Sequence, residues 1–134
     1  MRVICRQLQM TVEDVEHHLH ARDLARQDFR LTRGAEYLVF GLNFATNSKI
    51  HGTGVWLHLL DDDEHLTWAP LALFEISNPR VPREWVLRSH DGLVTLWPEP
   101  FYRPYFHEDF ADQDPDTLAA FDAVRALLLR EDSS

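Results

Sequence analysis

Cysteine is nearly absent from this chain of 134 residues. Cys5 stands alone, so no intrachain disulfide can form, and its place near a possible strand start reads as a small core residue rather than a nucleophile. Long apolar runs are missing too: none approaches the ~18–20 residues that span a bilayer. The amino-terminal run Met-Arg-Val-Ile-Cys-Arg-Gln-Leu-Gln-Met lacks the unbroken apolar core of a signal peptide, so a cytoplasmic location is the default expectation. Recognisable reaction motifs are lacking as well. There is no His-Glu-x-x-His or Cys-x-x-Cys spacing for zinc and no Gly-x-Ser-x-Gly elbow around Ser48, Ser77 or Ser89. Gly52-Thr53-Gly54 lacks the lysine and helix start of a phosphate loop. No cofactor, metal site or catalytic residue is expected.

What is present is an uneven distribution of charge. Residues 1–60 carry seven basic and six acidic side chains, whereas residues 61–134 carry six and sixteen, which together give the net −9. An acidic half repels nucleic acid, because phosphate contacts supply most of that affinity. It attracts a basic protein and speeds the encounter. The plainer alternative is that the acidic residues serve solubility alone.

The pattern along the chain predicts an α+β fold in a single domain over residues 1–134. Residues 1–30 read as a short strand around Val3 and Cys5, followed by a helical segment from Thr11, with Val12, Val15, Leu19 and Leu24 at irregular spacing. Residues 31–97 read as a small, strongly bent antiparallel sheet or an SH3-like barrel. A strand over 36–45 alternates, with Leu38, Phe40, Leu42 and Phe44 expected to face the core, and Gly41 marks a bulge or bend. A loop over 46–54 leads to a returning strand at 55–60. Asp61-Asp62-Asp63-Glu64 ends that strand in a solvated turn. A third strand starting at 65 is interrupted by Pro70, with a tight turn before Phe74-Glu75-Ile76. Strands over 84–88 and 93–97 are joined by Asp91-Gly92, a strong hairpin signal. Residues 98–116 hold four prolines and five aromatics and should form an ordered arm across the sheet. A helix over 115–130 has Asp114 as N-cap, Pro115 at its first position and an apolar stripe of Leu118, Phe121, Val124 and Leu128.

The candidate functional positions fall where the apolar pattern breaks. Contiguous Asp61, Asp62, Asp63 and Glu64 do not alternate as calcium-loop ligands do. With Trp68, Tyr102, Tyr105, Glu108, Asp109 and Asp112 they would make a patch of carboxylates and aromatics suited to a basic partner surface. Of the four tryptophans, Trp68 is expected to be partly exposed. The histidines, including the His17, His18 and His20 cluster, read as surface residues. A second class of function, a small metal-dependent enzyme, would need His17 and His20 on one helix face. A third is a peptide-binding adaptor.

The residues from Phe29 to Gly41 fit the pattern F-x-L-T-x-G-x-x-Y-x-V-x-G. W-x-x-x-x-D-D follows at Trp56 to Asp62, W-x-P-x-x-L-F-E-I at Trp68 to Ile76, and R-x-P-x-x-W at Arg80 to Trp85. This succession resembles small bacterial immunity proteins of polymorphic toxin systems. The resemblance implies a cytoplasmic inhibitor that binds a cognate toxin domain, one with a basic surface, and blocks its active site. It supplies no catalytic residues. The chain departs from the pattern in its longer 46–54 loop and in its preference for arginine over lysine.

Overall fold

A computed structural model describes residues 1–10, 29–48, 52–90 and 92–132. Eight strands run in chain order: β1 (Arg2–Cys5), β2 (Glu36–Leu38), β3 (Gly41–Ser48), β4 (Gly52–Leu60), β5 (Leu66–Pro70), β6 (Phe74–Asn78), β7 (Trp85–His90) and β8 (Leu93–Pro98). Short 3₁₀ turns occupy Leu71–Leu73 and Glu99–Tyr102. Two helices follow, α1 (Phe106–Ala111) and α2 (Pro115–Asp132). The strands form two antiparallel sheets, ordered β2-β1-β6 and β5-β4-β3-β8-β7. The α+β class, antiparallel pairing and the C-terminal helix are therefore present, with two sheets where one was expected. A closed barrel is not, because β5 and β7 remain edges of the larger sheet. The expected helix after Thr11 and residues 17–20 lie outside the described residues.

The two sheets are joined by chain segments that leave one and enter the other. The first is Val39-Phe40, between β2 and β3. Its backbone amides donate to different places, Val39 to the Met1 carbonyl at 3.0 Å and Phe40 to the His58 carbonyl at 2.7 Å. Both side chains are buried, at 0% and 2% exposure, so strict alternation fails there. The expected core-facing set is corrected as a result: Phe44 is exposed, while Asn43 on the other parity is buried. Gly41 sits just after this break. A Cβ there would meet the Leu96 carbonyl oxygen and the Trp97 ring, each at 2.9 Å, so a side chain would push β3 off β8. The second crossing is the turn at Leu71–Leu73, which follows Pro70 and carries the chain from β5 into β6. At the far end, Gly92 takes φ 78° in the β7–β8 hairpin, a conformation open to glycine at little cost.

Strand β4 is buried on both faces. Side chains alternate along a strand, yet Trp56, Leu57, His58 and Leu59 are all buried. A strand covered on both sides needs two layers. One layer is the small sheet, since β2 and the Leu71–Leu73 turn contact β4. The other is the aromatic arm, whose Phe101 ring lies edge-on to His58 with centroids 5.5 Å apart. Phe101 also stacks on Phe106 at 4.7 Å and Phe121 at 6.0 Å, which ties the arm to α1 and α2.

Helix α2 follows from its sequence almost position by position. The Asp114 carboxylate accepts from the Thr117 amide at 3.0 Å and the Thr117 hydroxyl at 2.8 Å, capping the helix. These same bonds hold the Asp114 carboxyl below its usual range. Phe121, Val124 and Leu128 are buried, with Thr117 completing the stripe. At the other end, Asp132 accepts from the Arg2 guanidinium and from Asn78 Nδ2, the latter at 2.6 Å. Burial alone would raise the Asp132 carboxyl, but the Arg2 hydrogen bond and charge outweigh it and hold it below the usual range. The end of α2 is thereby fastened to β1 and β6.

Candidate functional site

The acidic turn after β4 and the arm after β8 are about forty residues apart in sequence. They border one cleft. Its volume is about 500 Å³, with Asp63, Glu64 and His65 from the turn on one side and His107, Phe110 and Gln113 on the other. Leu60 and Leu66 border it from β4 and β5, and Leu118, Phe121, Asp122 and Arg125 from α2.

The turn itself is built by two of its own carboxylates. Asp61 Oδ1 accepts from the amides of Asp63 and His65, both at 2.9 Å, and only 8% of its side chain is exposed. Asp62 accepts from the Thr32 hydroxyl at 2.6 Å and the Tyr37 hydroxyl at 2.7 Å. Asp62, Asp63 and Glu64 are all exposed, and of these Asp63 and Glu64 are the ones whose carboxylates do not build the turn. Asp63 lies 3.8 Å from Arg30 Nε, a separation at which an exposed pair contributes little. Glu64 has φ 62°, the left-handed region that L residues enter uncommonly.

The arm contains a helix that the sequence did not announce. Helix α1 has Tyr105 as its N-cap, a residue with φ 64° that makes no side-chain capping bond. With Pro104 just before it and no Ser, Thr, Asp or Asn at its start, the usual N-terminal signal is missing. Tyr105 is 74% exposed. Glu108 and Asp109 fall in the first turn of α1, where the helix dipole favours carboxylates, and Asp112 is its C-cap. Glu108 and Asp112 are exposed. None of the three lines the cleft between turn and helices.

Trp68 and Tyr102 occupy a different environment, an aromatic layer beneath the arm. Trp68 is half-buried, as expected, and stacks on His58 with centroids 3.7 Å apart and planes at 15°. Tyr102 donates to the Val86 carbonyl at 2.6 Å and lies 2.7 Å from the Thr95 hydroxyl. Its ring stacks on Trp97 at 4.8 Å and carries the Arg88 guanidinium 4.2 Å from its centroid. Trp97 in turn donates to Asn43 Oδ1 at 2.8 Å, which gives a donor to the buried amide oxygen at the unexpected parity of β3. Tyr102 thus latches the arm onto β7 and β8.

The expectation of surface histidines is corrected. Among the described side chains only His65 is exposed. His58 is fully buried, and His107 is half-buried and stacks on it at 4.8 Å. The available signal was the position of His58 inside the apolar run Val55–Leu60, where a solvated side chain has no room. Burial pushes the His107 imidazole below its ordinary range, and the Glu108 charge only partly opposes this. Its Nε2 is buried with no hydrogen-bond partner among the described residues. A depressed imidazole stays neutral in the fold while the unfolded chain binds a proton near pH ~6.5. Its contribution to stability is therefore present above that pH and is lost as pH falls through the folded value. Urea denaturation at pH 7.5 and 5.5 should show a larger loss for the native chain than for His107→Phe; equal losses would contradict the assignment.

Asp61, Asp63 and His65 can each offer one ligand atom within 4.8 Å of the others. One oxygen of Asp61 is already engaged by two backbone amides, and Asp63 and His65 are exposed, which leaves no preformed cage. Sequence reasoning named Asp63, Glu64 and the arm that carries Phe110 but missed Asp122 and Arg125 on the opposite wall. Leu118, Asp122 and Arg125 follow one another at helical spacing beside Phe121, so one face of α2 carried the signal. No helix among the described residues is long and apolar enough to cross a membrane. Comparison with protein families, with curated proteins and with solved structures gives no match.

Proposed function

We propose that this chain is a protein-binding inhibitor of the immunity type, acting in the cytoplasm. It seats on a cognate toxin domain that presents a basic surface and covers that domain's active site, with no chemistry of its own. The observation that carries this reading is the convergence of the acidic turn and the aromatic arm on one cleft. Both elements interrupt the apolar pattern, and both stand at the same end of a scaffold fixed by β4, Phe101 and α2. A recess lined by leucine and phenylalanine side chains as well as carboxylates has the form of a charge-complementary hot spot, where a few desolvated contacts supply most of the binding energy. The resemblance of the 29–85 stretch to immunity proteins points the same way. The acidic balance of residues 61–134 adds long-range attraction for a basic partner.

Co-expression with the toxin encoded beside this chain tests the proposal. Cells should be protected, and a stable complex should elute on size-exclusion chromatography. Absence of both protection and complex overturns it.

A further inference from the structure

We propose that the cleft between the 61–65 turn and helices α1 and α2 is an acceptor for an arginine side chain of the protein partner, an assignment that rests on the partner-binding reading above. Three carboxylates border the cleft, those of Asp63, Glu64 and Asp122, with one guanidinium, that of Arg125; Asp63 already lies 3.8 Å from Arg30 Nε. Neither Glu64 nor Asp122 forms an ion pair with any cation among the described residues. Glu64 and Arg125 also line the neighbouring cleft, which Arg2, Glu36, Asp61 and Asp62 border, so the two carboxylates without such a pair, Glu64 and Asp122, stand against the single guanidinium of Arg125. The balance favours a cation.

The walls select which cation. Leu60, Leu66, Leu118 and the half-buried Phe110 supply the apolar part of a mixed lining, and its volume of about 500 Å³ is ample for a long side chain with its neighbouring backbone. An arginine buries its methylene stem along such walls and stacks its planar guanidinium on an aromatic face. Its five N–H groups can serve two carboxylates at once, as those of Glu64 and Asp122 from facing elements would require. A lysine ammonium is a compact, strongly hydrated point charge that gains less from an aromatic wall.

The test uses N-acetyl-arginine methylamide as the probe, titrated into the ¹⁵N-labelled full chain and followed by heteronuclear NMR. Saturable shifts are expected at amides of residues 63–66, 107–113 and 118–125, weakened at least tenfold in the Glu64→Gln, Asp122→Asn double variant. The citrulline analogue, which keeps the shape and loses the charge, should leave these amides unmoved. Unchanged circular dichroism of the double variant shows that it folds. Equal shifts from citrulline, shifts scattered over the whole acidic surface, or saturable binding of N-acetyl-glutamate methylamide at Arg125 would each overturn the assignment. A partner complex formed undiminished by the double variant overturns the arginine assignment alone. Arginine-specific binding by a chain that protects no cell and captures no toxin overturns the inhibitor reading alone.

Discussion

Replacing Phe101 by alanine should lower the stability of the fold by about 3–5 kcal/mol, the usual cost of emptying an aromatic site in a packed core. Phe101 is 1% exposed. Its ring contacts Phe40 from the β2–β3 crossing, His58 from β4, Phe106 from α1 and Phe121 from α2. Among the described residues no other ring of the arm contacts rings in all of these elements. Its loss therefore opens a cavity at the junction of sheet, arm and helices, and those rigid walls limit collapse. Urea denaturation measures the effect. Cleft residues on α1 should also become mobile in the variant before global unfolding, because α1 has no capping side chain of its own and six residues are too few to hold a helix without packing. A loss below about 1 kcal/mol would show that the arm lies on the sheet without anchoring the fold.

Charge reversal at the cleft is the second large effect. The double variant Glu64→Lys, Asp122→Lys should weaken the complex with the cognate toxin at least 100-fold, equivalent to about 2.7 kcal/mol. Two attractive groups are removed and two like charges are set against a basic surface, which costs several kcal/mol at an interface. Both residues are exposed, and neither carboxylate holds a turn or cap together. The melting temperature should stay within a few degrees of the native chain. Reversal at Asp61 or Asp62 would be a poor probe, because those carboxylates bind the turn amides, Thr32 and Tyr37. Isothermal titration with the toxin domain measures the effect; binding unchanged by the Glu64 and Asp122 reversal would place the interface elsewhere.

Local chemistry was legible in the sequence wherever one residue type decides a backbone. Asp114-Pro115 announced α2, Pro70 announced the tight turn before β6 though not that it changes sheets, and Asp91-Gly92 announced the β7–β8 hairpin. Long-range switching was not legible. The 36–45 strand reads as one alternating element, yet Val39 and Phe40 are both buried because the chain changes sheets between them, and Asn43 is buried because Trp97, 54 residues away, supplies its donor. Helix α1 was hidden because its N-cap is a left-handed tyrosine whose side chain makes no capping bond. The candidate site shows the same division. The acidic turn stood out as a charge run, but which of its carboxylates build the turn depends on backbone amides and on Tyr37. The opposite wall on α2 depends on how that helix is docked.

The claim that matters most is that the cleft between turn and helices is the centre of the partner interface. Hydrogen–deuterium exchange on the complex with the proposed toxin partner tests it most directly. Slowed exchange is predicted at amides of residues 61–66 and 107–113, with little change along β7. Leu87 on that edge strand is 65% exposed and offers the partner another place to dock. Protection confined to β7 and the exposed Phe44 face, with the turn and α1 exchanging as in the free chain, would contradict the account.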